Sequence, residues 1–251
     1  MTYLLPSMTA MIERRLLINY ALDPSVAAGM LPQGLRPQLV DGSAVAGVCL
    51  IRLGDMRVPW MPRAFGWGAE NAAHRIAVEW DDSEGAQQQG VYIPVRHSAS
   101  WLPVAVGGRL FPGVHRHARF TGSETANRIR VDLVASDLRV SADVAVVSEW
   151  RSRLFSTVDD ASAFFRAGST GWSPRHGSAE LDGLTLETEQ WKVEPGRLLN
   201  VESSFFDALP EGSARLDSVL VMRDVPIAWS VPPRSRQISR QMTAHSASIS
   251  H

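Results

Sequence analysis

Two histidines placed two positions apart are the first candidates for chemistry in this sequence. His115 and His117 flank Arg116, and on a β-strand residues i and i+2 point to the same face. Histidine exchanges protons near neutral pH, so the pair is suited to proton transfer. The same spacing also suits a metal ion, but a zinc or iron site needs a third ligand. His97 or Glu70 could supply one, yet no characteristic metal motif is present, and the prediction adopted is a site without metal.

Other familiar arrangements of catalytic residues are missing from the sequence. It has no Gly-x-Ser-x-Gly elbow, no Gly-x-x-x-x-Gly-Lys phosphate loop and no Cys-x-x-Cys pair. Gly107-Gly108 is interpreted as a close approach of two strands. We therefore predict no cofactor. Cys49 is the only cysteine, which excludes an intrachain disulfide and indicates a reducing compartment.

The charge balance excludes two classes of partner. The chain has 25 basic and 26 acidic side chains, a formal net charge of −1, and they are spread along the sequence. This distribution leaves no basic patch for nucleic acid or for an anionic membrane. The first residues do not resemble a leader, and no apolar stretch approaches the roughly 18 residues of a membrane helix. We therefore predict a cytoplasmic protein with one sizeable core.

The hydrophobic pattern predicts a β-rich domain with short helices. An apolar segment at 15–20 predicts a strand, and Asp23-Pro24 then supplies an N-cap and a proline at the first helical position of a helix over 24–30. The start signal at Thr157 and the stop signal at Gly168 predict a second helix. Further strands are predicted over 44–52, 74–80, 90–95, 128–134, 138–147, 178–186, 198–205 and 215–223.

Two segments are predicted to lack regular structure. Residues 54–72 are rich in proline, glycine and tryptophan, and we interpret them as a loop folded over the β-structure. Residues 232–251 have no sustained apolar face, which is typical of a disordered tail. Because no internal repeat divides the rest, residues 1–231 are predicted to form a single domain.

Three stretches of the sequence, at 14–24, 104–117 and 189–195, carry a resemblance to a known family. The first joins a strand to the Asp-Pro-capped helix, the second contains Val-Gly-Gly-Arg-Leu, and the third contains Trp-Lys-Val. In this order the chain resembles the acetoacetate decarboxylase-like family, most closely its lysine-poor branch, over roughly residues 12–232. The resemblance implies a mainly β (α+β) fold: a cone-shaped, mostly antiparallel β-barrel with an internal ligand cavity and two or three short peripheral helices.

The resemblance breaks down at the residue on which decarboxylation depends. In the decarboxylases the segment after the Val-Gly-Gly-Arg-like stretch ends in Pro-Lys-Lys, and its first lysine forms an imine with a keto group. Here that place reads Gly-Val-His-Arg-His over 113–117, so His115 takes the place of the nucleophile and Arg116 that of its cationic neighbour. Neither side chain can form an imine. Lys192 is the only lysine and is expected to be an exposed strand residue, so we predict no Schiff-base chemistry.

The resemblance implies a cavity lined by arginine and histidine. Glu70 and Asn71 occupy the region of an acidic residue on the decarboxylase cavity wall, and Arg14 is similar to an arginine that orients a carboxylate. The predicted catalytic residues are His115, His117 and Glu70. The predicted ligand-binding residues are Arg14, Asn71, His74, His97 and Arg116.

Three functions stay open at this point. The one adopted is a small-molecule-binding barrel that recognises an organic acid or carbonyl compound without Schiff-base chemistry. The second is a lyase or isomerase in which histidine and glutamate transfer protons. The third is a non-catalytic scaffold or oligomer-forming protein whose interior is filled by Trp60, Trp67, Trp101 and Phe111. A homo-oligomer is compatible with the apolar strands in each case.

Overall fold

The computed structural model describes residues 8–101, 113–175 and 180–232. Within them the chain forms fifteen strands, three α-helices and one 3-10 helix, Arg63–Phe65. The strands are β1 (Met8–Leu22), β2 (Arg36–Pro37), β3 (Leu39–Val40), β4 (Ser43–Arg57), β5 (Trp67–Asp81), β6 (Gln87–Tyr92), β7 (Arg96–Ser98), β8 (His115–His117), β9 (Arg119–Glu124), β10 (Arg128–Val134), β11 (Arg139–Val146), β12 (Thr170–Pro174), β13 (Leu181–Glu187), β14 (Glu194–Ser203) and β15 (Ala214–Ser230). The α-helices are α1 (Pro24–Gly29), α2 (Val158–Ala167) and α3 (Ser204–Asp207).

The sheet closes on itself into a barrel. Its ring follows the order β1, β4, β5, β6, β12, β13, β15, and β1 pairs with β15 to complete it. Strands β14, β11, β10 and β9 continue from β15. Among the described residues the ladders are antiparallel except for β6 with β12 and β7 with β8. The predicted mostly antiparallel barrel with short helices is confirmed.

Both faces of the sheet are buried at β1. On β1, Leu16 and Ile18 belong to one core cluster, whereas Leu17 belongs to a second cluster on the opposite face. This double burial explains why the segment that follows Arg15 reads as an almost continuous apolar run. Each fully buried leucine or isoleucine contributes about 1.5–3 kcal/mol through removal from water.

Capping residues fix where the first two helices begin. The Asp23 side chain accepts hydrogen bonds from the backbone N–H groups of Ser25 and Val26, with Pro24 at the first helical position. At α2, Thr157 and Asp160 form a reciprocal capping box. Such caps contribute about 0.5–2 kcal/mol each. Phe165 of α2 packs into the second core cluster, so this helix covers one face of the sheet.

The loop predicted over 54–72 is confined to residues 58–66. Strand β4 continues to Arg57 and β5 begins at Trp67, and the two pair up to Met56 and Trp67. Backbone pairing therefore extends the hairpin well beyond the apolar segments, leaving only a short turn that contains the 3-10 helix. The strand predicted over 198–205 ends at Ser203, where α3 begins. The Val-Gly-Gly-Arg stretch and nearly all of the predicted tail lie outside the described residues.

No helix within the described ranges is long and apolar enough to cross a membrane.

Candidate functional site

Strands β1 and β5 send neighbouring side chains to opposite faces of the sheet, as alternation on a strand requires. Arg14 lines a cavity on one face, together with Phe120 and Ile129. Arg15 and Arg75 line a second cavity on the opposite face, under α2. Arg14 and His74 therefore lie on the opposite side of these strands from the second cavity.

The first cavity, which we call the Arg14 cavity, has a volume of about 130 Å³. Its wall includes Arg14, Arg52, Glu70 and Glu124. Arg14 is buried and forms an ion pair with Glu70. Its Nε lies 3.7 Å from Glu124, which also pairs with Arg52 at 2.8 Å. Arg14 and Glu70 thus come together as predicted, but each guanidinium here already faces a protein carboxylate.

His74 lies in an enclosed aromatic environment. Its Nε2 is 3.0 Å from the Ser203 hydroxyl, and its ring stacks on Phe205 with centroids 4.3 Å apart. Burial, with a smaller contribution from the nearby His97, lowers the pKa of His74 to about 3, although Asp137 acts in the opposite direction. His74 is therefore neutral near pH 7 and serves the packing of α3 against β5. Asn71, also a predicted ligand, donates to the backbone carbonyl of Ala69 at 2.9 Å.

His97 and Arg116 meet at a shared carboxylate that the sequence did not indicate. The Nε2 of His97 lies 3.2 Å from Asp137, and Arg116 forms an ion pair with the other oxygen of the same side chain. Burial alone would raise the pKa of Asp137, but the hydrogen bonds from His97 and Arg116 hold it below its usual value. His97 is buried, whereas Arg116 is exposed.

The two candidate histidines lie on the short strand β8. This strand pairs in parallel with β7, placing His115 opposite Arg96 and His117 opposite Ser98. The His117 ring stacks on Trp101 with centroids 4.0 Å apart. Across the described ranges, no group of three or more His, Cys, Asp or Glu side chains is arranged to hold a metal ion.

Two expectations about individual residues need correction. Trp60 and Trp101 are 79% and 65% exposed, so neither fills the interior as the scaffold hypothesis required; Phe111 lies outside the described residues. Lys192 is exposed, as expected, but it lies in the connection between β13 and β14 and not on a strand. The connection starts from a β-ladder at Glu187 and leaves Lys192 without strand pairing.

The second cavity, which we call the arginine cavity, was missed by sequence reasoning. It has a volume of about 100 Å³, and its polar wall consists of Arg15, Arg75, Arg96 and Ser169. Its apolar wall includes Ile93, Phe165, Leu184, Leu186, Trp191 and Trp229.

Arg75 is the most deeply placed of the three arginines, at 4% exposure. Its Nη2 donates to the side-chain oxygen of Asn19 at 2.5 Å, and its guanidinium carbon lies 4.5 Å from the centre of the Phe165 ring. Its Nε and Nη1 have no hydrogen-bond partner among the described residues. Burial lowers the pKa of Arg75 to about 10, so the group still carries its charge at neutral pH.

The other two guanidiniums have only weak acceptors. Arg96 donates from Nη2 to the Ser173 hydroxyl at 3.3 Å, and its buried Nε has no partner among the described residues. Burial lowers the pKa of Arg96 to about 10. Arg15 donates from Nε to the sulfur of Cys49 at 3.2 Å and from Nη1 to that of Met222 at 3.9 Å, and sulfur is a poor acceptor.

In the part of the chain that the structure describes, no carboxylate neutralises this group of cations. Within the described residues, no aspartate or glutamate forms an ion pair with Arg15, Arg75 or Arg96, and none lines the cavity. The segments outside those residues contain no aspartate or glutamate in their sequences. A signal for the site was present: Arg75 lies on β5 next to the apolar residues 76–78, and a cation is rarely fully buried without a partner.

The barrel belongs to a known structural class. An acetoacetate decarboxylase-like enzyme from Sphingomonas wittichii RW1 shares 13% identity with a TM-score of 0.60, covering 93% of this chain and 92% of that one. Acetoacetate decarboxylase from Legionella pneumophila shares 14% identity with a TM-score of 0.59, covering 89% of this chain and 84% of that one. The enduracididine biosynthesis enzyme MppR, complexed with pyruvate, shares 14% identity with a TM-score of 0.57, covering 90% of this chain and 88% of that one. At these identities the likeness shows the acetoacetate decarboxylase-like fold.

Within that class, residues 9–223 match the model of the DUF2071 family, described as an uncharacterized conserved protein. The match covers most of the chain, so the chain belongs to this family. Comparison with curated proteins found no match to this chain.

Proposed function

We propose that this protein binds a small organic acid in the arginine cavity without forming a Schiff base. The observation that carries the proposal is the buried guanidinium of Arg75, two of whose nitrogens have no hydrogen-bond partner, and which has no carboxylate partner, among the described residues. Arg96 adds a further unpartnered nitrogen to the same cavity. Each of these nitrogens can donate a charge-assisted hydrogen bond to a carboxylate oxygen.

The energetics favour an anionic ligand. A buried charge without a partner costs several kcal/mol, even after relaxation of its surroundings. The lowered pKa values of Arg75 and Arg96 have the same cause. A bound carboxylate offsets that cost, whereas a neutral ligand leaves it in place. The Arg14 cavity has less of this driving force because Glu70 and Glu124 pair with Arg14 and Arg52, although Arg14 Nη1 also has no partner among the described residues.

The position of Gly113 also supports this cavity as the site. Gly113 begins the segment that the sequence resemblance aligns with the decarboxylases' lysine pair. A side chain at Gly113 would meet Ser173 at 2.9 Å and come within 3.5 Å of the Arg96 Nε. The aligned segment therefore starts at the edge of the arginine cavity, next to Arg96.

The exposure of Lys192 argues against imine chemistry. It is the only lysine in the chain, and its side chain is exposed although the adjacent Trp191 lines the cavity.

The cavity volume of about 100 Å³ has room for several water molecules. Small keto acids such as pyruvate and acetoacetate are therefore the appropriate first probes.

Thermal shift and isothermal titration calorimetry test the proposal. Pyruvate, acetoacetate and acetate are compared with the neutral analogue acetamide, using wild type, Arg75→Met and Arg96→Met. Arg151→Met is the matched control, since this arginine has an 81% exposed side chain. At a ligand concentration about 100 times Kd, we expect stabilisation by about 2.7 kcal/mol, or roughly 5–10 °C in Tm.

The acids should stabilise wild type and Arg151→Met but neither cavity variant, and acetamide should have no effect. Equal binding by Arg75→Met and wild type would remove the arginine cavity from the account. Failure of every acid to bind wild type would overturn the proposed function itself.

A further inference from the structure

We infer that the acid recognised by the arginine cavity carries an apolar body, so that the ligand is a short amphiphilic carboxylic acid. This inference rests on the proposed function and adds the class of ligand to it. It comes from the apolar residues that line the cavity beside the arginines. The charge argument does not use these residues.

The apolar wall starts next to the guanidinium groups. Gly171 of β12 pairs in register with Leu184 of β13. A side chain added at Gly171 would lie 3.5 Å from the Arg96 Nη2 and 3.1 Å from Ile93. The missing side chain leaves space between the cation and the aliphatic surface. A carboxylate held by Arg96 would therefore have its carbon chain against Ile93 and Leu184.

Further along β13 the wall stays apolar. Leu186 pairs in register with Trp229 of β15, and both line the cavity. Trp191 also lines it, but its indole N–H already donates to the Ser162 hydroxyl at 3.0 Å. That contact leaves the ring of Trp191 for apolar packing and no N–H donor for a polar ligand body.

These two walls discriminate between anions. Phosphate or formate would pair with the guanidiniums and leave Leu184, Leu186 and Trp229 in contact with water. A carboxylic acid with an apolar chain would cover them as well. Burial of each methylene contributes about 0.8 kcal/mol, which corresponds to about a fourfold change in Kd.

A homologous series of ligands tests the inference by calorimetry. Formate, acetate, propionate and butyrate are titrated into wild type, with inorganic phosphate as the anion without an apolar body and butyramide as the body without charge. Leu186→Asn places a polar side chain on the apolar wall, and the milder Leu186→Ala serves if the first variant loses its thermal transition. Leu199→Asn is the control, since Leu199 is a 47% exposed leucine on β14.

For wild type and Leu199→Asn, we expect Kd to fall about fourfold with each added methylene until the cavity is filled. The Leu186 variants should keep the affinity for formate and lose most of this gain. Equal Kd values along the series would overturn the inference while leaving organic-acid binding intact. Tighter binding of phosphate than of butyrate would also overturn it. Absence of binding by every carboxylate would instead refute the proposed function.

Discussion

Burial of His74 in its neutral form should make the stability of this protein fall as pH drops from about 7 to 5. In the folded protein its pKa is lowered to about 3, against 6.5 for an unperturbed histidine. Below about pH 6.5 the unfolded chain binds a proton that the folded protein does not bind. Protons therefore favour unfolding, and stability is lost on the acid side.

The expected size of the effect follows from these two pKa values. At pH 7 most unfolded molecules carry a neutral histidine, whereas at pH 5 nearly all carry the charged form. Linkage then gives a loss of about 2 kcal/mol in the free energy of unfolding over this interval. Carboxylates titrate mostly below it, and their contribution is shared by any variant at position 74.

Urea denaturation at a series of pH values measures this loss directly. His74→Gln removes the titrating ring and retains an amide near the position of Nε2, from which it can reach the Ser203 hydroxyl. The variant should lose about 2 kcal/mol less than wild type between pH 7 and pH 5. His117→Gln, which changes a partly buried histidine on β8, should retain the wild-type dependence. Identical pH profiles for wild type and His74→Gln would refute the assignment of a neutral, buried His74.

Three further outcomes are expected. Borohydride added with pyruvate or acetoacetate should leave the protein mass unchanged, and an adduct at Lys192 would contradict the absence of imine chemistry. Asp137→Asn should lower the free energy of unfolding by about 1–3 kcal/mol because it weakens the contacts of buried His97 and of Arg116; chemical denaturation at neutral pH measures it, and an unchanged midpoint would speak against a structural role. Thr157→Ala should cost about 1 kcal/mol through loss of the α2 cap, and an unchanged Tm would show that the capping box contributes little.

Local sequence signals predicted the elements that depend on local physics. The Asp23-Pro24 pair predicted α1 because an acceptor side chain and a fixed proline φ act within one turn. Alternation over 128–134 and 138–147 predicted β10 and β11, which pair from Arg128 with Ala145 onwards. In each case the deciding contacts lie close together in the sequence.

Elements that depend on distant pairing were missed. The short strands β7 and β8 exist because β7 pairs with β5 and β8 pairs with β7, which no local pattern records. The proline and glycine residues in 54–72 concealed the ends of strands β4 and β5 in the same way. There Met56 pairs with Trp67, and Arg57 pairs with Thr9 of β1.

The arginine cavity was missed because the residues predicted for the site were the immediate neighbours of the residues that line it. Sequence reasoning selected Arg14 and His74, whereas Arg15 and Arg75 beside them point to the opposite face and line that cavity. Because neighbouring residues on a strand point to opposite faces, an error of one residue moves the predicted site to the other face of the sheet. The absence of a carboxylate near Arg75 was also beyond prediction, because it depends on which distant strands surround it.

A crystal structure of the protein with bound pyruvate tests the central claim most directly. The account predicts the pyruvate carboxylate in the arginine cavity, within about 3 Å of the Arg75 Nε or Nη1 and hydrogen-bonded also to Arg96, with no covalent bond to Lys192. Pyruvate bound in the Arg14 cavity, or in covalent linkage to Lys192, would contradict it.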